Sequence, residues 1–259
     1  MIKIHQVQIP SILQKNQHSW TVNLLHCIKE YQGYSQIPEN VKNIIVNKYR
    51  EHEIKEAVKE TTNGKCSFCE SIIETVDYIN IEHFYPKSLF PKYAFKWSNL
   101  IPSCRKCNIP KDNFDTKNNP FVNPTKDNPE ELFYYKDLKI KAIDDNIKAI
   151  NTNKVCDLNR LDLIRQRSEI LINFYSTEES INEYNQHYNS LVQPAAKLRV
   201  ASNLLNSIEN LNEVGGYYKS YAGFFRYLVS NSAIIKTSID IINSHSVDLQ
   251  INNGFKFDW

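Results

Sequence analysis

The sequence predicts a mainly α-helical protein with a small inserted ββα module that is braced by four cysteines. Two observations carry this prediction: apolar residues recur at helical spacing on both sides of residues 61–120, and two C-x2-C pairs bracket a strand-rich block within that stretch. The 259 residues, 41% of them hydrophobic, are enough to bury a core. We therefore expect an N-terminal helical region at 1–60, the module at 61–120, and a connector with a C-terminal helical region at 121–259.

The helical regions are predicted from the period of their apolar residues. Residues 20–60 contain two such stretches, and the polar turn at 61–64 closes the second. The connector at 118–137 carries three prolines and a candidate short strand around Phe133. Further helical patterns cover residues 157–174, 191–211 and 217–242.

The cysteine spacing predicts a structural zinc site. The two pairs are Cys66-x2-Cys69 and Cys104-x2-Cys107. Together they supply four thiolates, which is the donor set of closed, structural Zn(II) sites. One such pair alone would equally suit a redox function, whereas two pairs in one short block favour zinc.

The segment between the two pairs is longer than in a simple zinc ribbon. It contains 34 residues, of which 78–85 (YINIEHFY) and 97–103 (WSNLIPS) are strand-like. The second pair then leads into a candidate helix start at 104–113. A hairpin that is pinned by zinc and followed by a helix is a ββα-metal arrangement.

Three motifs of this block resemble the HNH endonuclease motif in its zinc-knuckle variant. They are EHFYP at 82–86, SNL at 98–100 and CRKCNIPK at 104–111. With GKCSFCES before them, and FVNPTKDNPEE and LNRLDLIRQR after them, they are similar to the PtuB effector nucleases of bacterial Septu and retron-associated anti-phage systems. The similarity covers about residues 50–170 and implies a metal-dependent endonuclease that hydrolyses phosphodiester bonds.

The resemblance implies a role for each of five residues. His83 would be the general base, because a neutral imidazole can take a proton from water near neutral pH. Glu82 and Asn108 would hold a catalytic Mg(II) or Mn(II) through oxygen donors. Asn99 would fix the backbone around the histidine, and Lys111 would face the phosphate. Neighbouring residues of a strand point to opposite faces. The side chains of Glu82 and His83 can therefore face the same phosphate only if the strand ends or bulges there.

The same resemblance implies partners. A PtuA-like ABC-type ATPase would control the nuclease, and a retron reverse transcriptase with its noncoding DNA is a further candidate; the chain itself contains no P-loop. Residues 86–117 carry seven basic and two acidic side chains, which suits a nucleic-acid surface or an ordinary solvated face. DNA is the favoured substrate, with RNA, including tRNA, left open. A non-catalytic zinc-knuckle protein for nucleic-acid binding or assembly is the alternative function.

The remaining features carry less specific expectations. No signal peptide or membrane-spanning stretch is visible, so a cytoplasmic location without a membrane partner is expected. Cys27 and Cys156 are interpreted as buried apolar side chains. The aromatic run at 217–227 suits core packing or base stacking, and the final GFKFDW suits docking on a partner or on the chain itself.

Overall fold

The structure, a computed structural model, describes residues 1–73 and 80–259. Over these residues it is mainly helical with two small two-stranded sheets, which confirms the mainly helical part of the prediction. The chain divides into two compact units, residues 1–160 and 161–259. These two units do not test the predicted division into regions 1–60, 61–120 and 121–259, which stays a prediction.

The first unit combines short helices with both sheets. Its described helices are α1 (Ser11–Glu30), α2 (Glu39–Ile45), α3 (His52–Glu60), α4 (Arg105–Lys111) and α5 (Ile147–Val155). Its described strands are β1 (Asn80–His83), β2 (Leu100–Ser103), β3 (Phe133–Lys136) and β4 (Lys139–Ala142). β1 pairs antiparallel with β2, which sets His83 opposite Leu100, and β3 pairs antiparallel with β4.

The core of the first unit lies between the N-terminal helices and the β1–β2 hairpin. Leu24 of α1, Ile54 and Val58 of α3, and Leu100 of β2 are fully buried in one cluster, together with Phe95 from the loop between the strands. Each such side chain contributes about 1.5–3 kcal/mol by leaving water. The N-terminal helices therefore support the hairpin from one side.

The second unit is a bundle of four helices. They are α6 (Leu161–Ser190), α7 (Pro194–Val214), α8 (Ala222–Asn231) and α9 (Ala233–Ser244). The aromatic run at 217–227 contributes Phe225 to this core, which agrees with core packing rather than base stacking for that residue. The C-terminal Phe255, Phe257 and Trp259 pack on the same core, so the final segment docks on the chain's own second unit.

Several boundaries differ from those predicted. Strand β1 covers Asn80–His83, and residues 78 and 79 of the predicted strand lie outside the described residues. The first three residues of the predicted strand at 97–103 form a 3₁₀ turn. The helical pattern at 217–242 is split into α8 and α9, because the Ser232 hydroxyl accepts a hydrogen bond from the Ile235 amide at 3.1 Å and starts a new helix.

Among the described strands and α-helices, β4 and α5 lie where no element was predicted. Strand β4 follows β3 through a turn with positive φ at Asp137 and Leu138, and α5 begins at Asn146, whose side chain accepts a hydrogen bond from Ala149. No helix in the described parts of the chain combines the length and apolar character that crossing a bilayer requires.

Candidate metal centre and active site

Four cysteine sulfurs converge in the first unit. Their Sγ atoms all lie within 4.8 Å of one another, and those of Cys69 and Cys104 are 3.7 Å apart. In a tetrahedral site with zinc–sulfur bonds of about 2.3 Å, the sulfurs would be about 3.8 Å apart. The predicted cluster is thus confirmed, and its donors and spacing fit a metal ion such as zinc. Its members are Cys66, Cys69, Cys104 and Cys107.

The backbone brings the two cysteine pairs together. The first pair lies on a tight turn, in which the amide of Glu70, a residue with a positive φ of 63°, donates to the carbonyl of Cys66 at 3.0 Å. The amide of Ser67 donates to the carbonyl of Pro102 in β2 at 3.0 Å. Cys104 follows β2 directly and precedes α4. The hairpin and the cysteine cluster are therefore built from the same few residues.

Arg160 contacts the cysteine cluster. Its Nη1 lies 3.5 Å from the sulfur of Cys107 and donates to the carbonyl of Cys156 at 3.2 Å. Burial acts to lower the pKa of Arg160, but the sulfurs of Cys107 and Cys69 raise it overall. Four thiolates around a divalent ion would carry a net negative charge, which this guanidinium would partly offset. Arg160 belongs to the LNRLDLIRQR motif, and no role for it was predicted from the sequence.

Asn99 fixes the loop that follows β1. Its Oδ1 accepts a hydrogen bond from the amide of Tyr85 at 2.7 Å. Its Nδ2 donates to the carbonyls of Tyr85 at 3.1 Å and Tyr93 at 3.0 Å. Asn99 is 1% exposed, and all three hydrogen bonds are partly buried. Asn99 therefore holds the backbone on both sides of the loop; its part in catalysis stays a proposal.

His83 is the last residue of β1 and is buried on the side of the N-terminal helices. Its Nε2 lies 2.9 Å from the carbonyl oxygen of Ala94, so Nε2 carries the proton and Nδ1 is the basic nitrogen. The ring meets the ring of Tyr49 edge to face, with 4.6 Å between their centres. Burial first, and the charge of Lys87 second, hold the pKa of His83 well below that of an ordinary histidine. The imidazole is therefore neutral at physiological pH.

Glu82 is paired with Lys111. The ammonium of Lys111 makes a short contact with Oε1 of Glu82 and also donates to the carbonyl of His83 at 3.0 Å. Both charged side chains are buried, and burial raises the pKa of the Glu82 carboxyl although the Lys111 charge opposes that shift. Glu82 thus contacts α4, whereas His83 contacts Ala94 and Tyr49. The two side chains diverge as the alternation of a strand requires.

Asn108 and most of the basic residues at 86–117 are more exposed than His83 and Glu82. Asn108 lies half-buried in α4, and its side chain makes no hydrogen bond within the described residues. Among the seven basic residues at 86–117, Lys111 is buried and Lys87 is half-buried. The other five are exposed: Lys92, Lys96, Arg105, Lys106 and Lys117.

The fold and the site define a mainly helical protein with a two-stranded hairpin and a cluster of four cysteines that could hold a metal ion. The chain is similar to a protein named Septu protein PtuB from Bacillus thuringiensis, at 34% identity over 148 residues, which are 56% of this chain and 57% of that protein. It is also similar to Septu protein PtuB from Bacillus mycoides strain KBAB4, at 31% identity over 153 residues, 47% of this chain and 52% of that protein.

A shorter similarity links the chain to protein ea31 of Escherichia phage lambda, at 41% identity over 49 residues, 19% of this chain and 16% of that protein. The chain spans about half the length of the two Septu proteins it matches. No protein-family model matches the chain, and no solved structure matches it.

Proposed function

We propose that this chain is an HNH-type endonuclease that hydrolyses phosphodiester bonds of nucleic acid, with DNA as the favoured substrate. The observation that carries the proposal is the state of His83, whose Nε2 is committed to a backbone carbonyl and whose Nδ1 is left as a neutral base. A general base for water needs this combination of fixed tautomer and neutral charge.

The proposed reaction uses this base directly. His83 Nδ1 takes a proton from a water molecule, the water oxygen bonds to phosphorus, and the phosphorus–oxygen bond to the leaving group breaks with its electron pair on the leaving oxygen. Asn99 contributes by holding the loop after β1 in place through its three hydrogen bonds. A shift of about 1 Å in such a loop is enough to lower the rate about 100-fold.

Zinc is the proposed occupant of the four-cysteine cluster, where it would brace the hairpin and take no part in hydrolysis. A catalytic Mg(II) or Mn(II) at Glu82 and Asn108 does not fit the arrangement described. One carboxylate oxygen of Glu82 already contacts an ammonium, and that positive charge repels a second cation. The proposed reaction therefore assigns no step to such an ion.

The proposed setting is anti-phage defence. Both bacterial relatives are named Septu proteins, and the resemblance of the motifs implies an ABC-type ATPase of the PtuA kind as the controlling partner. Residues 1–259 contain no P-loop, so we assign the proposed nucleotide control to that partner.

The test is cleavage of plasmid DNA and of total tRNA by the full chain, alone and co-purified with a PtuA-like ATPase, with added Mg(II), with added Mn(II), and with neither. We expect His83→Ala to abolish cleavage. The matched control is His52→Ala, because the His52 side chain is 91% exposed and lies in α3 outside the hairpin. Equal cleavage by wild type and His83→Ala would refute the proposed base.

A second candidate function is a non-catalytic zinc-knuckle protein. The observation that favours it is the burial of His83 and of the Glu82–Lys111 pair, because a purely structural hairpin would bury the same groups. Absence of cleavage by wild type under every condition above, combined with intact nucleic-acid binding, would select this function.

A further inference from the structure

Among residues 1–73 and 80–259, the charges around His83 do not cancel. Lys111 is neutralised by Glu82, with which it forms a buried ion pair. Arg50 and Lys87, in contrast, have no carboxylate within salt-bridge distance among residues 1–73 and 80–259. The surroundings of His83 therefore carry a net positive charge that the described part of the protein does not balance.

Both cations lie beside one aromatic ring, and that ring touches His83. The guanidinium carbon of Arg50 is 5.5 Å from the centre of the Tyr49 ring, and Nζ of Lys87 is 5.3 Å from the same centre. The Tyr49 ring in turn lies 4.6 Å from the ring of His83, centre to centre. Arg50 is further oriented by a hydrogen bond from its Nε to the Tyr49 hydroxyl at 3.2 Å.

The two cations come from different parts of the sequence. Arg50 is exposed and ends the 3₁₀ turn Asn47–Arg50 between α2 and α3, whereas Lys87 is half-buried in the loop that follows β1. Tyr49 is buried in the cluster that joins the N-terminal helices to the hairpin, so packing fixes the distance between the two loops. The N-terminal helices therefore place a charged group next to the hairpin as well as supporting it.

A phosphodiester is the ligand that these groups fit. A guanidinium binds phosphate oxygens in a bidentate fork, and an ammonium binds them as a point charge. Two such groups at a buried aromatic ring can hold one or two neighbouring phosphates of a strand, and neither group reads base identity.

We propose that Arg50 and Lys87 form a phosphodiester-binding site beside His83, with Tyr49 as the support that positions both cations. The statement that this phosphate is the one cleaved rests on the proposed function. Binding of a phosphodiester at this site does not depend on it. In this arrangement Lys111 stabilises the hairpin through Glu82 and the His83 carbonyl, and the phosphate is held from the opposite side.

The test measures binding and cleavage separately. Binding is followed by fluorescence anisotropy of a labelled single-stranded DNA and of an RNA of the same sequence, at several salt concentrations. The full chain is used with His83→Ala, so that cleavage does not consume the probe. Onto this background we place Arg50→Gln, Lys87→Gln and the charge-retaining Arg50→Lys. The matched controls are Lys48→Gln from the same 3₁₀ turn and Lys139→Gln from an exposed position of β4.

Each neutral variant should weaken binding about five- to tenfold at about 0.1 M salt, since one phosphate contact contributes about 0.7 to the salt slope of a single strand. The slope itself should fall by about that amount for both probes. Arg50→Lys should retain most of the slope, and the two controls should leave affinity and slope unchanged. Thermal unfolding curves that match the parent would show that the Tyr49 region is intact.

The outcomes separate this proposal from the proposed function. Parent-like binding by Arg50→Gln and Lys87→Gln, or equal losses in the two controls, would overturn the phosphodiester site even if the wild-type chain cleaves. Failure of the parent to bind either probe would overturn it as well. Lost binding in the two variants without cleavage by wild type would support the site and refute the nuclease.

Discussion

Replacing Asn99 with alanine should destabilise the first unit strongly, whatever the function of the chain. The substitution removes three partly buried hydrogen bonds and leaves the amide of Tyr85 and the carbonyls of Tyr85 and Tyr93 without that partner. A net value of about 1 kcal/mol per hydrogen bond gives a loss of about 3 kcal/mol. For a unit of about 160 residues this lowers Tm by roughly 6–12 °C.

The assay is thermal and urea unfolding followed by tryptophan fluorescence, since Trp20 and Trp97 both lie in the first unit. Hydrogen exchange at the Tyr85 amide adds a local measurement, and this amide should exchange faster in Asn99→Ala. The matched control is Asn43→Ala, an exposed asparagine of α2, which should change stability by less than about 0.5 kcal/mol. A loss below 1 kcal/mol for Asn99→Ala would refute the assignment of Asn99 as the brace of this loop.

Three further predictions concern other parts of the chain. Arg160→Gln should weaken zinc retention about tenfold in a chelator competition, because it removes the guanidinium beside the sulfurs. Replacing the exposed Arg165 with Gln should leave zinc retention unchanged, and equal retention by both variants would contradict the role of Arg160. The folded-state pKa of His83 is lowered, so the unfolded chain takes up a proton first as the pH falls below about 6.5, and wild type should lose stability relative to His83→Gln from there downwards. Parallel pH profiles in urea would contradict that shift. Gly215→Ala should destabilise the second unit by about 1–3 kcal/mol, because the new methyl group collides with the ring of Trp259, and adding Trp259→Ala should cancel the collision; additive effects of the two changes would contradict it.

The sequence was informative where a short spacing determines geometry. Two residues between cysteines set the distance between two sulfurs, so the grouping of Cys66, Cys69, Cys104 and Cys107 followed from the pattern, and the structure confirms it. The spacing of apolar residues predicted which segments are helical, but it did not predict which residues of a helix face are buried. Leu161, an apolar residue of the predicted helical pattern at 157–174, is 62% exposed.

The parts that could not be predicted depend on contacts between distant segments. Glu82 and Lys111 meet because α4 packs on β1. The sequence motifs alone do not distinguish this pairing from an arrangement in which Lys111 faces a phosphate. Arg50 approaches His83 only because Tyr49 is buried against the hairpin. Arg160 reaches Cys107 across 53 positions of sequence. A short sequence motif identifies residue types, whereas identifying such partners requires the packed structure.

The buried Glu82–Lys111 pair restricts how this chain can diverge. Losing either side chain alone leaves the other charge buried without its partner, at a cost of about 3–5 kcal/mol, which is a large share of the roughly 5–15 kcal/mol that stabilises a typical domain. Replacing both together by apolar side chains of similar volume costs far less. Across the descendants of this sequence the two positions should therefore vary together, and an unpaired change at one of them should be rare.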